Sequence, residues 1–299
     1  MRQLLLIIAT ICAISAYSQG ITKHGQSTIL DSDFVNRNGQ TDTVPLLNKN
    51  GKMLDSLVDL NPDETFVNSD APVNHIHENL SFQSPWGYKK AGNASRHYPL
   101  LVVGLWGEGE NYYKAVAQHY PAFVINYQKN TESDGQVLGR WIKSAIEAGY
   151  RIDLSRIYLT GFSMGGSGSY PLAKGMFVEK NYFAAIIRVA GQSQPDLGNE
   201  IARHTAVWYH IGLSDSETRV GVAREALNYM RNYECNSAAI ETSSSDINTG
   251  YARTTVTLTR SGFPMFKYSE YANMGHIPGP CYTDQYLMTW LFNHSLKYR

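Results

Sequence analysis

Five short apolar runs in the second two thirds of the chain limit its fold more than any other feature: "YPLLVVGLW" (98–106), "AFVINY" (122–127), "RIYLTG" (156–161), "FAAIIRVAG" (183–191) and "TAVWYHIG" (205–212). Each is a continuous apolar stretch suited to a strand buried on both faces. Helix-like segments separate them. "DGQVLGRWIKSAIEAG" (134–149) sets Val137, Trp141, Ile142, Ala145 and Ile146 on one face, and "SETRVGVAREALNYMRNY" (216–233) runs amphipathically behind Ser216, a helix-capping residue. Strand and helix repeated in this way predict an α/β fold, a mostly parallel sheet covered by helices on both sides.

The alternation begins near residue 80 and predicts one catalytic-size domain over residues 76–299. Residues 1–18, "MRQLLLIIATICAISAYS", carry Arg2, an apolar run shorter than a bilayer span, and small residues Ala16 and Ser18 at −3 and −1 of a cleavage point. A secretory signal peptide is expected there. With it come export to the periplasm or the medium and a mature chain without a membrane span. Residues 19–75 show turn-like punctuation at "KHGQ", "NRNGQ" and "NKNGK" and no long helical period, so they read as a turn-rich leader or linker. His75 and His77 in "NHIHE" have no Cys or further His nearby and are taken as strand residues, not metal ligands.

Formal net charge is +0, and no block of five or more Lys or Arg occurs. The footprint of a nucleic-acid or anionic-membrane binder is therefore missing, and the expected partner is neutral or small. Loss of the signal peptide removes Cys12 and leaves Cys235 and Cys281 in an oxidising compartment. A disulfide between them is one expectation; two separate buried thiols are the other.

The stretch "YLTGFSMGGSGSY" (158–170) follows one of the strand candidates. A phosphate loop would need Lys after Gly166, where Ser167 stands, and the glycine spacing of a dinucleotide fingerprint is absent. Gly161-Phe162-Ser163-Met164-Gly165 does meet G-x-S-x-G, the strand-to-helix turn that exposes a nucleophile. A serine hydroxyl needs a His base and a carboxylate to orient it, in the order Ser, acid, His. Asp215 lies just past the strand 205–212, and His276 lies in "YANMGHIPGP", a Gly/Pro-rich loop after a strand expected at 266–271. Glu217 competes with Asp215 as the acid, and Asp215 is favoured because it stands on the loop proper. His119, His204, His210 and His294 fall within or at the ends of strands and helices and read as structural or exposed. For the oxyanion, one donor is the N–H of Met164, and the other is the N–H of Trp106 or Gly107 in the loop "GLWGEGENYY" (104–113).

Four blocks, "YPLLVVGLWGEGEN", "DLSRIYLTGFSMGG", "VWYHIGLSDSETRV" and "YSEYANMGHIPGPCYTDQYLMTWLF", resemble α/β-hydrolases of the secreted esterase group. That group includes feruloyl and other carbohydrate esterases and polyhydroxybutyrate-depolymerase-like esterases. The resemblance covers roughly residues 82–297. It implies Ser163 as nucleophile, His276 as general base and then acid, Asp215 as the orienting carboxylate, and backbone donors at Met164 and Trp106. The group commonly has His-Gly where this chain has Trp106-Gly107, which bears on pocket shape. The implied activity is cofactor-free and metal-free hydrolysis of carboxylic esters, on small-molecule or plant-polysaccharide substrates of feruloyl or acetyl type. A peptidase-like hydrolase and a non-catalytic binding protein on the same fold are the alternatives.

Overall fold

The computed structural model describes residues 81–83, 97–104, 122–127, 129–147, 149–192, 200–243, 250–284 and 286–298. The expected signal peptide (1–18), the leader (19–75), His75, His77, Trp106, Gly107 and His119 lie outside them.

The described strands are β1 (Ser81–Gln83), β2 (Tyr98–Val103), β3 (Phe123–Asn126), β4 (Ile152–Phe162), β5 (Ala185–Val189), β6 (Ala206–Gly212), β7 (Ser237–Ser243), β8 (Arg253–Arg260) and β9 (Phe263–Tyr271). They form one sheet in the order β1-β3-β2-β4-β5-β6-β9-β8-β7. The central pairings from β3 to β9 are all parallel, while β1 joins β3, and β8 joins both β7 and β9, antiparallel. The five apolar runs became β2 to β6, because a parallel strand covered on both faces has no wet side for polar residues. β5 and β6 are buried at every position.

The described helices are α1 (Glu132–Glu147), α2 (Met164–Val178), α3 (Glu200–His204), α4 (Glu217–Tyr229), α5 (Gly279–Tyr282) and α6 (Leu287–Phe292). Alternate residues of the sheet meet different helices. On one face Arg188 reaches the Gly166 carbonyl of α2 and lies over the Tyr170 ring. On the other, Tyr158 packs edge-on against Phe292 and Trp208 against Trp290, both from α6. The sheet is therefore covered on both sides, the architecture expected from the alternation of runs.

Ser216 caps α4 as expected, its Oγ accepting from the Arg219 N–H at 3.4 Å, and α4 runs into a π-helical turn over Met230–Glu234. The glycines of α2 do more than approach strands. A Cβ on Gly166 would stand 2.4 Å from the Val189 carbonyl oxygen of β5, but one on Gly175 would stand 2.0 Å from the Glu132 oxygen of α1. Two helices thus touch backbone to backbone there, which a side chain at residue 175 would forbid.

The hairpin β7–β8 was not foreseen. β8 reads "RTTVTLTR", β-branched at five of eight positions, and its strand character comes from pairing with β9 over Arg253–Arg260.

The structure corrects the disulfide expectation, since Cys235 and Cys281 are thiols. Cys235 precedes β7 where Ser237 pairs with Thr259 and Thr259 with Pro264, near the start of β9. Cys281 lies near the Tyr271 hydroxyl, at the end of the same strand. From Pro264 to Tyr271 an extended strand covers about 23 Å, several times the Cα separation a disulfide spans.

Candidate active site

In sequence order the chain visits β2, then β3 on one side of it, and returns through α1 to β4 on the other side. In open parallel sheets functional groups gather beyond the carboxyl ends of the strands at such a reversal, here those of β2 and β4. Ser163 stands there, between the last residue of β4 and the first of α2.

Its backbone is bent into φ 55°, ψ −111°, a region L-residues rarely occupy. Neighbouring backbone over-determines it. The Ser163 N–H donates to the Val189 carbonyl at 2.9 Å, and the Ser163 carbonyl accepts from the Ser167 N–H at 2.8 Å. The turn is so tight that a Cβ on Gly161 would stand 2.6 Å from the Gly165 carbonyl oxygen, which is why small residues flank the serine at both positions two away. The Met164 N–H is the first of α2, so no carbonyl of that helix reaches it. Gly104, where the chain leaves β2, donates its N–H to the Thr160 carbonyl at 2.8 Å and ties the end of β2 to the end of β4.

Asp215 follows β6 in a short turn, its N–H on the Gly212 carbonyl at 3.2 Å. The carboxylate side chain is 1% exposed. Oδ1 accepts from the Ser216 N–H at 2.7 Å and from Arg219 Nη1 at 2.9 Å, while Oδ2 lies 2.6 Å from His276 Nδ1. A carboxylate oxygen can only accept, so Nδ1 carries the hydrogen and Nε2 is left with its lone pair. Nε2 lies 2.9 Å from Ser163 Oγ. The Phe162 ring, 4.6 Å away between centroids, backs the imidazole.

The acid and His loops are stitched to each other. Leu213 N–H donates to the Tyr271 carbonyl and Ser214 N–H to the Met274 carbonyl, each at 2.9 Å. A Cβ on Gly212 would meet the Met274 oxygen at 2.2 Å. Two segments about sixty residues apart in sequence are thereby held as one unit.

The three residues singled out from the sequence, Ser163, Asp215 and His276, come together. Glu217 sits exposed in the first turn of α4, so the carboxylate on His276 is that of Asp215. His210 is fully buried, its Nδ1 2.9 Å from the Tyr271 hydroxyl. Burial, with Arg253 and Lys267 nearby, holds its imidazole well below the usual titration range. His294 Nδ1 donates to the Trp290 carbonyl at 2.7 Å, and His204 lies against the Tyr182 ring. Among the described residues no group of three His, Cys, Asp or Glu is placed to hold a metal, and no helix is long and apolar enough to cross a membrane.

Two arginines with a part in this arrangement were not singled out. Arg219, on the acid, carries no motif. Arg188 hides inside an apolar run and is fully buried, with its guanidinium over the rings of Tyr170 and Tyr209 at 4.6 and 5.1 Å. Its Nη1 donates to the Gly166 carbonyl at 2.6 Å and faces the Ser167 carbonyl at 3.5 Å. Pro171 inside α2 has no N–H to give that second carbonyl, so the arginine stands where a helix bond is missing. Around the site Met164, Leu213 and Ile277, near the serine, acid and histidine in sequence, are 43%, 39% and 40% exposed.

The sequence matches no protein-family model and no curated protein sequence. Among solved structures, the acetyl xylan esterase from Aspergillus awamori is similar at 14% identity and a TM-score of 0.48, over 71% of this chain and 93% of that one. An esterase from Pyrobaculum calidifontis is similar at 7% identity and a TM-score of 0.46, over 71% of this chain and 78% of that one. The dipeptidyl peptidase 4 of Porphyromonas gingivalis is similar at 14% identity and a TM-score of 0.45, over 72% of this chain and 33% of that one. These likenesses concern the fold alone.

Proposed function

We propose that this chain, an α/β-hydrolase by fold, is a secreted serine hydrolase that cleaves carboxylic esters. The observation that carries the reading is the unbroken hydrogen-bonded line from Asp215 through His276 to Ser163, at 2.6 and 2.9 Å. In the proposed reaction Ser163 Oγ attacks the ester carbonyl as His276 Nε2 takes its proton, and the buried Asp215 carboxylate stabilises the imidazolium that forms. The Met164 N–H at the start of α2 receives the developing oxyanion, with the Trp106 N–H as the second donor on the strength of the family resemblance. His276 returns the proton to the departing alcohol. It then draws a proton from the water that attacks the acyl-enzyme, and Ser163 is regenerated. The proposal needs no cofactor or metal.

Substrates of feruloyl or acetyl type on plant polysaccharides follow from the resemblance, and export follows from the leader "MRQLLLIIATICAISAYS". The exposed apolar side chains of Met164, Leu213 and Ile277 suit an ester with an apolar acyl or alcohol part. The test is release of p-nitrophenol from short-chain acyl esters by the chain from residue 19 onward and by its Ser163→Ala variant. Turnover that disappears in the variant supports the esterase; turnover on peptides alone moves the reading to a peptidase, and none on either moves it to a binding protein.

A further inference from the structure

Asp215 spends only one carboxylate oxygen on His276. The other is held on the far side by the Ser216 N–H and by Arg219 Nη1 at 2.9 Å. Arg219 projects from the first turn of α4, four residues after the acid, with a side chain 21% exposed against 1% for the carboxylate. Among the described residues its Nη1 bonds Asp215 and Ser216, the two residues at the turn into α4. We infer that Arg219 is a positioning residue of the site: it pins Oδ1 so that Oδ2 faces His276. The inference rests on the hydrolase reading above.

A carboxylate held by one backbone N–H can rotate about its Cβ–Cγ bond, whereas two donors on Oδ1 fix the plane. Among the described residues Arg219 is the charged side chain bonded to the Asp215–His276 pair. The Phe162 ring at the end of β4 lies against the imidazole, and the Ser163 hydroxyl beyond it meets Nε2.

The rival role is purely structural, because Arg219 also caps α4 through Ser216, with Nη1 3.2 Å from its Oγ. The experiment separates the two by measuring kcat, KM and melting temperature for p-nitrophenyl acetate on the chain from residue 19 onward. Arg219→Met should lower kcat about 5- to 10-fold with KM within about twofold, and Arg219→Lys, which keeps a charged donor but not the planar fork, should recover part of that kcat. A lower melting temperature with unchanged kcat would make Arg219 a helix cap and overturn the inference. If Arg219→Met does not fold, Arg219→Gln, which keeps a donor without the charge, must lower kcat with KM within about twofold or the inference fails. Ser163→Ala run alongside isolates the premise: if its turnover equals wild type, the hydrolase reading falls first and the role of Arg219 falls with it.

Discussion

The turn bearing Ser163 and the paired loops bearing Asp215 and His276 take their conformations from different sources. The serine turn is set mainly within the six residues from Gly161 to Gly166, where missing side chains let strand and helix backbones come within 2.6 Å of a virtual Cβ. The acid and histidine are placed by contacts across the fold, with bonds from Leu213 and Ser214 to Tyr271 and Met274 closing a loop of about sixty residues. Local constraint tolerates strain at one residue, φ 55° at Ser163, because most of what enforces it lies within the turn, with the Val189 carbonyl of β5 the one distant anchor. Long-range placement depends on the sheet being complete, since β6 and β9 must already be neighbours before the two loops can bond.

Substitutions should separate the two halves. Ser163→Ala removes the reacting atom and leaves the turn's backbone bonds in place, so kcat/KM for an acyl ester should fall by roughly 10⁴-fold or more while the melting temperature moves by only a few degrees. Asp215→Asn strips the charge from the non-local half, and roughly 10³-fold should be lost, whereas the exposed Glu217→Gln should stay within about twofold. Equal losses from those two would break the assignment of the acid. Gly212→Ala attacks the stitching itself. Its Cβ would lie 2.2 Å from the Met274 oxygen, and urea unfolding should show a cost of about 2–4 kcal/mol, with turnover down about 10²-fold as His276 is displaced.

The smallest effect concerns pH. His210 lies under the acid loop and bonds Tyr271, whose carbonyl in turn holds Leu213. Burial, then Arg253 and Lys267, depress its folded-state pKa, so the unfolded chain binds the proton first. Stability from this group is present above the unfolded value near 6.5 and is lost as pH falls below it, by at most about 1.4 kcal/mol per pH unit. Urea midpoints at pH 7.5 and 5.5 should show that slope, and His210→Gln should flatten it. An unchanged slope in the variant would mean that other groups drive the acid sensitivity.

What the sequence disclosed follows the same division. The parallel strands were legible because burial on both faces leaves an apolar run, and Ser163 was legible because its turn writes its steric demand into adjacent glycines. Asp215 is favoured over Glu217 because it stands on the loop proper, and the folded chain puts its carboxylate on His276. The β7–β8 hairpin escaped notice because threonine-rich β8 owes its form to pairing with β9, and β7 in turn to pairing with β8. Arg188 read as part of an apolar strand, and only the folded sheet shows the carbonyls and rings that accept its charge. The cysteines misled because spacing along the chain carries no information about which end of β9 each one approaches.

Arg188 also bears on transplanting the nucleophile turn. Residues 158–170 look like a portable cassette, but Pro171 has no N–H to offer the Ser167 carbonyl, and Arg188 reaches that carbonyl and the Gly166 carbonyl from β5. A host scaffold given the Gly-Phe-Ser-Met-Gly turn together with its proline would lose both arginine contacts at the base of the nucleophile helix. A faithful graft therefore has to bring the arginine of the next strand, and the two tyrosine rings that shelter its charge, along with the turn.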